Sequence, residues 1–534
     1  MKHRDNLKYK LLAACAASAL MLAGCGGDNE GGEVDAPASS ATQRAASDDI
    51  MGGKSPIEEE FRFSGGEPLD VDAFFAAMAD EDEPSDVQYA SSSFDSDIGA
   101  TVIEQFTSTD DDSVTTVGRI ELYGVNEAQI QALKDSDGTA PKDEIFRKVR
   151  MFDVSIVNTG GESEGGAVTI GALEFDRLSL GGFPEEDMDV SEGEEEGGGD
   201  FAAVMKGIEF GGLYMTDLNV AGMENEGTGI DANVADLRFG GFGGGEFGPV
   251  YLEGLDYTVR QSQEAKQALI DGADPQAAAI LAGPLGNIIM PAEQRARIEV
   301  MTWDGMSFAG LLPYMESGEQ PPLTATNLIS FGRIEAKNAV SWVNGKEAAT
   351  TEYSVVEPVE FAWLVPTRIR SYSEGSTMDM TAYVPEEETE MMALFRDNGL
   401  DDLNGESEFL WTYDDQGGDA SLSIDSDMTG FADFDIGLDL SNAVLADLHA
   451  ATQSEDPSAM LAIALNGFTL RIADEKLLDT VFGIAGMQMG QDPAQLRASA
   501  PLMINMGGAQ FAQMNPAFPQ YLQAVSDWVS LGGT

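Results

Sequence analysis

The sequence predicts a mainly β protein with helices, an α+β chain. Its core is an extended antiparallel sheet of irregular strand-pair repeats, followed by a helical C-terminal subdomain. Three observations carry this expectation. From residue 61 to 440, apolar and polar residues alternate in short runs punctuated by Gly and Asp, the pattern of strands with one buried face. Within that region the form apolar-Gly-x-apolar-Glu recurs. After Ser441 the apolar period changes from two to 3.6. With 534 residues, the chain exceeds what one hydrophobic core organises, so two or three packed regions are expected. Its 60 glycines and 8% aromatic content argue against a plain helical bundle.

In chain order, residues 1–24 read as a signal peptide. Lys2, Arg4, Lys8 and Lys10 form a basic start. The apolar run Leu11 to Leu22 is too short to span a bilayer but suits a secretory h-region. It leads into Leu22-Ala23-Gly24-Cys25, which resembles the lipobox of bacterial lipoproteins at every position. The resemblance implies signal recognition through Leu22, Ala23 and Gly24 and diacylglycerol on the Cys25 thiol. It also implies cleavage before Cys25 and acylation of the new amino terminus. Gly26 stands where an inner-membrane lipoprotein would carry aspartate, so by family analogy the expected address is the outer membrane, facing the periplasm or the cell surface.

Residues 25–60 alternate Gly pairs and acids with a Ser/Ala/Thr run and show no apolar period, so a disordered tether is expected there. Its flexible reach is roughly 30–35 Å. An N-terminal β-repeat region is expected over 61–258, opening with an amphipathic helix at Val71 to Ala79. Its repeats are Val117-Gly-Arg-Ile-Glu, Ile170-Gly-Ala-Leu-Glu and the degenerate Val234-Ala-Asp-Leu-Arg; Phe331-Gly-Arg-Ile-Glu follows further along. Their uneven spacing rules out a strict solenoid period and fits a recurring strand pair added along one sheet. Residues 259–290 read as a helical insertion and 291–440 as a second β region, with a helix from Glu386 to Asn398 stopped by Gly399. Residues 441–534 read as the helical subdomain, with a short strand at Thr469 to Ile472.

Charge and rare residues bound the chemistry. The chain carries 29 basic and 93 acidic residues. Loss of the signal removes four bases and one acid, leaving 25 against 92 and a net charge near −67. Such a body repels nucleic acid and anionic head groups. Cys15 and His3 leave with the signal and Cys25 takes lipid, so the mature chain has no free thiol and one histidine, His449. Cys/His zinc sites and cysteine nucleophiles are thereby excluded within one chain.

The remaining motifs weigh lightly. Gly161-Glu-Ser163-Glu-Gly165 spells a nucleophile elbow, yet an acidic Gly-rich loop leads into a strand where a helix is needed. Gly243-x-Gly245-x-x-Gly248 spells a dinucleotide fingerprint, but strand-like Pro249-Val-Tyr-Leu follows it, and a Gly-rich turn is expected. Asp135, Asp137, Gly138 and Glu144 fall on EF-hand positions, making Asp135, Asp137 and Glu144 weak calcium candidates; Leu133 and Pro141 occupy positions that should ligate. His449 sits beside the apolar stripe of its helix, where packing is the expected role. Arg295/Arg297 and Arg368/Arg370 have period-two spacing and are expected to face acids on neighbouring strands.

The order of Pro366-Thr-Arg-Ile, Trp411-Thr-Tyr-Asp-Asp, Phe434-Asp-Ile-Gly-Leu and Leu470-Arg-Ile-Ala-Asp is similar to uncharacterised exported bacterial proteins whose long β region ends in helices. A fainter similarity links such sheets to periplasmic β-groove proteins that hold lipid chains. The resulting expectation is a lipid-anchored envelope protein, a non-enzymatic binding or structural module offering a groove to a lipid or an envelope protein. No catalytic residue, nucleotide or cofactor is assigned, with calcium the sole candidate ion. The rivals are a carboxylate-dependent hydrolase of envelope polysaccharide and a calcium-stabilised surface protein.

Overall fold

The computed structural model describes residues 53–78, 86–110, 113–135, 140–160, 165–181, 198–225, 227–272, 278, 281, 290–386, 388–454, 462–508 and 518–531. One 22-stranded antiparallel sheet dominates them. Its strands are β1 (Asp86–Gln88), β2 (Ser91–Asp95), β3 (Ala100–Thr109), β4 (Ser113–Tyr123), β5 (Asp143–Asn158), β6 (Ala167–Leu180), β7 (Ile208–Asn225), β8 (Thr228–Phe239), β9 (Phe242–Gly243), β10 (Glu246–Phe247), β11 (Val250–Gln261), β12 (Glu293–Trp303), β13 (Met306–Ser307), β14 (Ser330–Phe331), β15 (Ile334–Val343), β16 (Lys346–Val356), β17 (Glu360–Ala362), β18 (Val365–Met378), β19 (Leu403–Tyr413), β20 (Ala420–Thr429), β21 (Ala432–Ser441) and β22 (Ala464–Asp474). The helices are α1 (Val71–Met78), α2 (Glu127–Asp135), α3 (Gly198–Gly207), α4 (Gln263–Gly272), α5 (Leu312–Ser317), α6 (Thr389–Asp397), α7 (Leu445–Ser454), α8 (Leu477–Met489), α9 (Pro493–Gly508) and α10 (Phe518–Leu531).

The long strands pair as a meander, β3-β4-β5-β6-β7-β8-β11-β12-β15-β16-β18-β19-β20-β21-β22, each beside its neighbour in sequence. The helical insertion therefore does not divide the β regions, since β11 and β12 pair from Val250/Trp303 to Arg260/Glu293. Nor does the sheet stop at residue 440. β22, an 11-residue strand, completes it beside β21, and α8, α9 and α10 follow.

The sequence repeat has a structural cause. Six strands, each second one in the meander, carry one residue in the left-handed region at the same level: Gln105 (φ 52°), Asp153 (53°), Asp217 (52°), Gly254 (67°), Asn338 (52°) and Gly375 (63°). The register skips each of them and the residue opposite, so Val117 pairs Val154 and Arg119 pairs Phe152, with Gly118 facing Asp153 between. This step changes the apolar spacing from two to three on every strand it crosses. Val117 and Ile120, Ile170 and Leu173, Leu252 and Leu255, and Ile298 and Met301 are all buried on its two sides. Gly is favoured opposite an αL residue because the chains approach closely there. A Cβ on Gly171 would lie 3.0 Å from the Asp217 Cβ. Three repeat copies, at 117, 170 and 234, sit at this step on β4, β6 and β8. The Phe331 copy does not; its Gly332 lies at a second break, between β14 and β15.

That second break crosses β8/β9, β10/β11, β12/β13 and β14/β15, where Gly240 N donates to Pro249 O (2.7 Å), Gly248 N to Gly241 O (2.8 Å) and Gly332 N to Gly305 O (2.8 Å). The apparent dinucleotide fingerprint at 243–248 is the β9–β10 turn, with Gly244 and Gly245 at φ 60° and 81°, and β11 follows it.

The body begins earlier than the sequence suggests. The tether expected to reach residue 60 has ended by residue 53, because Ser55 (1% exposed) and Ile57 (6%) are buried. A 3-10 turn over Pro56–Glu58 packs Ile57 against Tyr214, Ala172 and Tyr251.

Candidate functional site

The two faces of the sheet differ in chemistry, because directly opposed residues of an antiparallel pair share a face. One face carries a ladder of charges. Arg119 bonds Glu121 (2.9 Å) and Glu104 (3.0 Å), and Tyr123 donates to Glu121 (2.7 Å). Glu174, fully buried, receives Lys148 and Arg150 from β5, the latter at 2.7 Å. Arg238 pairs with Asp236 at 2.7 Å and stacks over the Tyr251 ring at 4.4 Å. Burial and the Asp176 and Glu174 carboxylates push the Tyr214 hydroxyl up to about 12; burial and the bond to Glu121 raise Tyr123 further. Residues 53–63 cross this face as a strap. Gly53 O accepts from Arg238 (3.1 Å), Ile57 covers Tyr214, and Phe61 lies under Lys148 Nζ (4.5 Å) and edge-on to Tyr123 (5.0 Å).

The other face is apolar along nearly the whole meander. One cross-strand row reads Leu122, Val149, Phe175, Leu213, Phe239 and Val250 from β4 to β11. It continues as Trp303, Ile334 and Val356, is interrupted once by Ser371, and resumes as Phe409, Ile424, Ile436 and Leu470 on β19 to β22. At the N-terminal end it is covered. Val71, Phe74 and Phe75 of α1 pack with Ile103, Ile120, Leu122 and Leu213. Met205 of α3 and Leu312 of α5 close over Phe239, Phe242 and Phe247.

At the C-terminal end helices cover only its margins, α7 packing with Tyr413, Ala420, Trp411 and Leu440, and α6 and α8 with Leu403 and Phe431, and the stretch between is open. Two rows, Phe409-Ile424-Ile436-Leu470 and Trp411-Leu422-Leu438-Phe468, contain no fully buried residue. Leu465, Phe468 and Leu470 on β22 are 61%, 52% and 49% exposed. Among the described residues β22 pairs only with β21, so its outer backbone edge is also uncovered. An edge strand with three large apolar residues in water is a feature that proteins ordinarily suppress, and it marks an interaction site. The helices α8 to α10 also expose Val481, Leu502, Met503 and Tyr521.

The residues singled out from sequence fall as follows. Positions 1–52, hence Leu22, Ala23, Gly24 and Cys25, lie outside the described residues, as do Asp137 and Ser163. Asp135 ends α2, and Glu144 lies in β5, a strand where an EF-hand would continue into a helix. Among the described residues, no group of three or more His, Cys, Asp or Glu could hold a metal ion, and no helix is long and apolar enough to cross a membrane. His449 packs against Trp363, with ring centroids 4.9 Å apart. Arg295 grips Asp256 on β11 with two hydrogen bonds, and Arg370 reaches Glu357 and Glu408, both at 2.7 Å, as their spacing predicts. A shallow depression of about 660 Å³ near β18 to β21 is lined by Glu360, Asp414, Asp419 and Asp439, all four exposed.

The open apolar rows escaped notice in the sequence. Their signal was present as alternation in Phe409/Trp411, Leu422/Ile424, Phe434/Ile436/Leu438 and Phe468/Leu470, but register alone stacks these pairs into one patch.

Fold and site together define a β-meander protein with a buried charge ladder on one face and an open apolar surface at the last strands of the other. A family model described as an uncharacterized protein matches residues 425–534, the segment holding β21, β22 and α7 to α10. No curated protein and no solved structure matches the chain.

Proposed function

We propose that this is a lipid-anchored protein of the bacterial envelope, a non-enzymatic module whose open apolar face at β19 to β22 holds the hydrocarbon chain of a lipid. The observation that carries the reading is the cross-strand apolar row, which runs from the covered core to the exposed edge strand with one interruption. Strands lie about 4.8 Å apart, so β19 to β22 present an apolar width of roughly 14 Å. Chains laid side by side along the strands fit within that width. Leu22-Ala23-Gly24-Cys25 supports the anchor, and Gly26 supports the outer membrane.

The pair Phe468→Asp with Leu470→Asp places two carboxylates on the exposed part of the patch. Purified wild-type protein is expected to release phospholipid on solvent extraction, and the variant at least tenfold less. The denaturation midpoint should stay close to wild type, because both side chains already face water. Equal lipid in both proteins, or none in either, sinks the groove. The anchor is tested separately: Cys25→Ser is expected to move the protein from the membrane fraction to the soluble envelope extract, and unchanged fractionation would refute lipidation.

A further inference from the structure

We propose that the occupant is an ester-linked diacyl lipid with a zwitterionic head group, held by its ester carbonyls on a stripe of serine hydroxyls. The inference rests on the lipid reading above and adds what kind of lipid the face selects.

The stripe is a second cross-strand row, next to the apolar one. On the N-terminal strands that row is Ile103, Ile120, Met151, Leu173 and Met215, ordinary core. At β16, β18, β19 and β20 it becomes Ser354, Ser373, Ser407 and Ser426, each directly opposite the next. On β21 and β22 it returns to Phe434 and Ile472. Four successive strands thus place a hydroxyl where their neighbours place hydrocarbon. The Ser373 Oγ bonds the Ser376 Oγ (3.3 Å), which in turn meets the Thr351 Oγ1 (3.4 Å).

A serine hydroxyl donates readily to a carbonyl oxygen, and hydroxyls on adjacent strands recur about every 4.8 Å. Along each strand the rows are about 7 Å apart, so Phe409 and Ile424 lie about 7 Å from the stripe and Trp411 and Leu422 about 14 Å. A lipid whose ester groups sit on Ser407 and Ser426 would therefore run its chains down both apolar rows, a length close to the 15 Å of one leaflet. The stripe fits the polar linkage of a glycerolipid, which a bare hydrocarbon or an apolar peptide face lacks.

Charge selects the head group. The chain carries a net charge of −64. The strands bearing the stripe and their neighbour β21 carry Glu406, Asp425, Asp427, Asp433 and Asp435, with Arg471, on the reverse face, so the field at the stripe is that of the whole acidic body. An anionic head group would meet this field, whereas a zwitterionic one carries a cation towards it.

The test uses the full purified protein with three probes of identical chains: diester phosphatidylethanolamine, its diether analogue and diester phosphatidylglycerol. Wild type is expected to prefer the diester over the diether phosphatidylethanolamine by about fivefold, the worth of one net hydrogen bond. It should also favour phosphatidylethanolamine over phosphatidylglycerol at low salt. Ser407→Ala with Ser426→Ala should remove the ester preference while keeping affinity for the diether. Retained preference in the variant, or no preference in a wild type that binds both, overturns the stripe. A preference for phosphatidylglycerol overturns the head-group assignment. Binding of no probe overturns the groove reading itself, and this inference with it.

Discussion

Replacing Glu174 by alanine is expected to destabilise the body by about 3–5 kcal/mol, the usual cost of removing one member of a buried ion pair. Glu174 is fully buried, and it is the shared partner of Lys148 and Arg150, whose side chains are 9% and 7% exposed. Without it, two cations would remain under the strap, Lys148 with Asp176 at 3.6 Å and Arg150 opposite Glu121, an acid already engaged by Arg119 and Tyr123. The cost arises from stranding the charges rather than from the strength of the pair. Burying an ion pair gains little over well-packed apolar residues of similar volume. The combined variant Lys148→Met, Arg150→Leu, Glu174→Leu should therefore recover most of the loss. Urea denaturation of the three proteins checks both statements. A Glu174→Ala midpoint equal to wild type would show that water reaches the ladder beneath residues 53–63.

Gly305→Ala is expected to cost about 3 kcal/mol, combining left-handed strain with forced overpacking. Gly305 has φ 89°, and a Cβ there would stand 2.2 Å from the Phe247 carbonyl oxygen and 2.8 Å from that of Gly248. Both obstacles are backbone, so no side-chain rotation relieves them. Gly345 is the control, because its φ is 78° but a Cβ there would meet nothing within 4 Å. Gly345→Ala should cost only about 1 kcal/mol. Equal midpoints for the two variants would mean that the second break of the sheet tolerates separation of its strands.

The sequence made the strands legible and left the breaks obscure. Val117-Gly-Arg-Ile and Ile170-Gly-Ala-Leu were visible as a repeat, but the reason for the three-residue apolar step lies in the partner strand. There Met151-x-Asp153-Val154, Met215-x-Asp217-Leu218, Leu252-x-Gly254-Leu255 and Ala336-x-Asn338-Ala339 each place an αL-tolerant residue before the second apolar one. Asp, Gly and Asn are the residues that accept that conformation, so this companion motif was readable in principle. It was hidden because the two motifs lie tens of residues apart. The helices α2, α3 and α5 were missed for a different cause. They are short, and Gly198–Gly207 and Leu312–Ser317 form where Met205 and Leu312 can cover the sheet, which local propensity does not record.

The candidate site divides in the same way. The arginine pairs found their acids because period-two spacing fixes a face within one strand. Which residues of different strands lie side by side is fixed by register, a property of the whole meander. Ser354, Ser373, Ser407 and Ser426 are scattered over 73 positions of sequence and meet only because four strands pair at the observed register. Burial is equally non-local. Ile57 looked like part of a polar tether until Tyr214 and Tyr251 supplied an apolar seat for it. The sequence by itself determined the strand-rich class and the extreme negative charge. Tertiary structure decided the covered and open ends of the apolar face and the burial of the charge ladder. Alternation is written in each strand, but pairing and coverage depend on contacts between residues far apart in the chain.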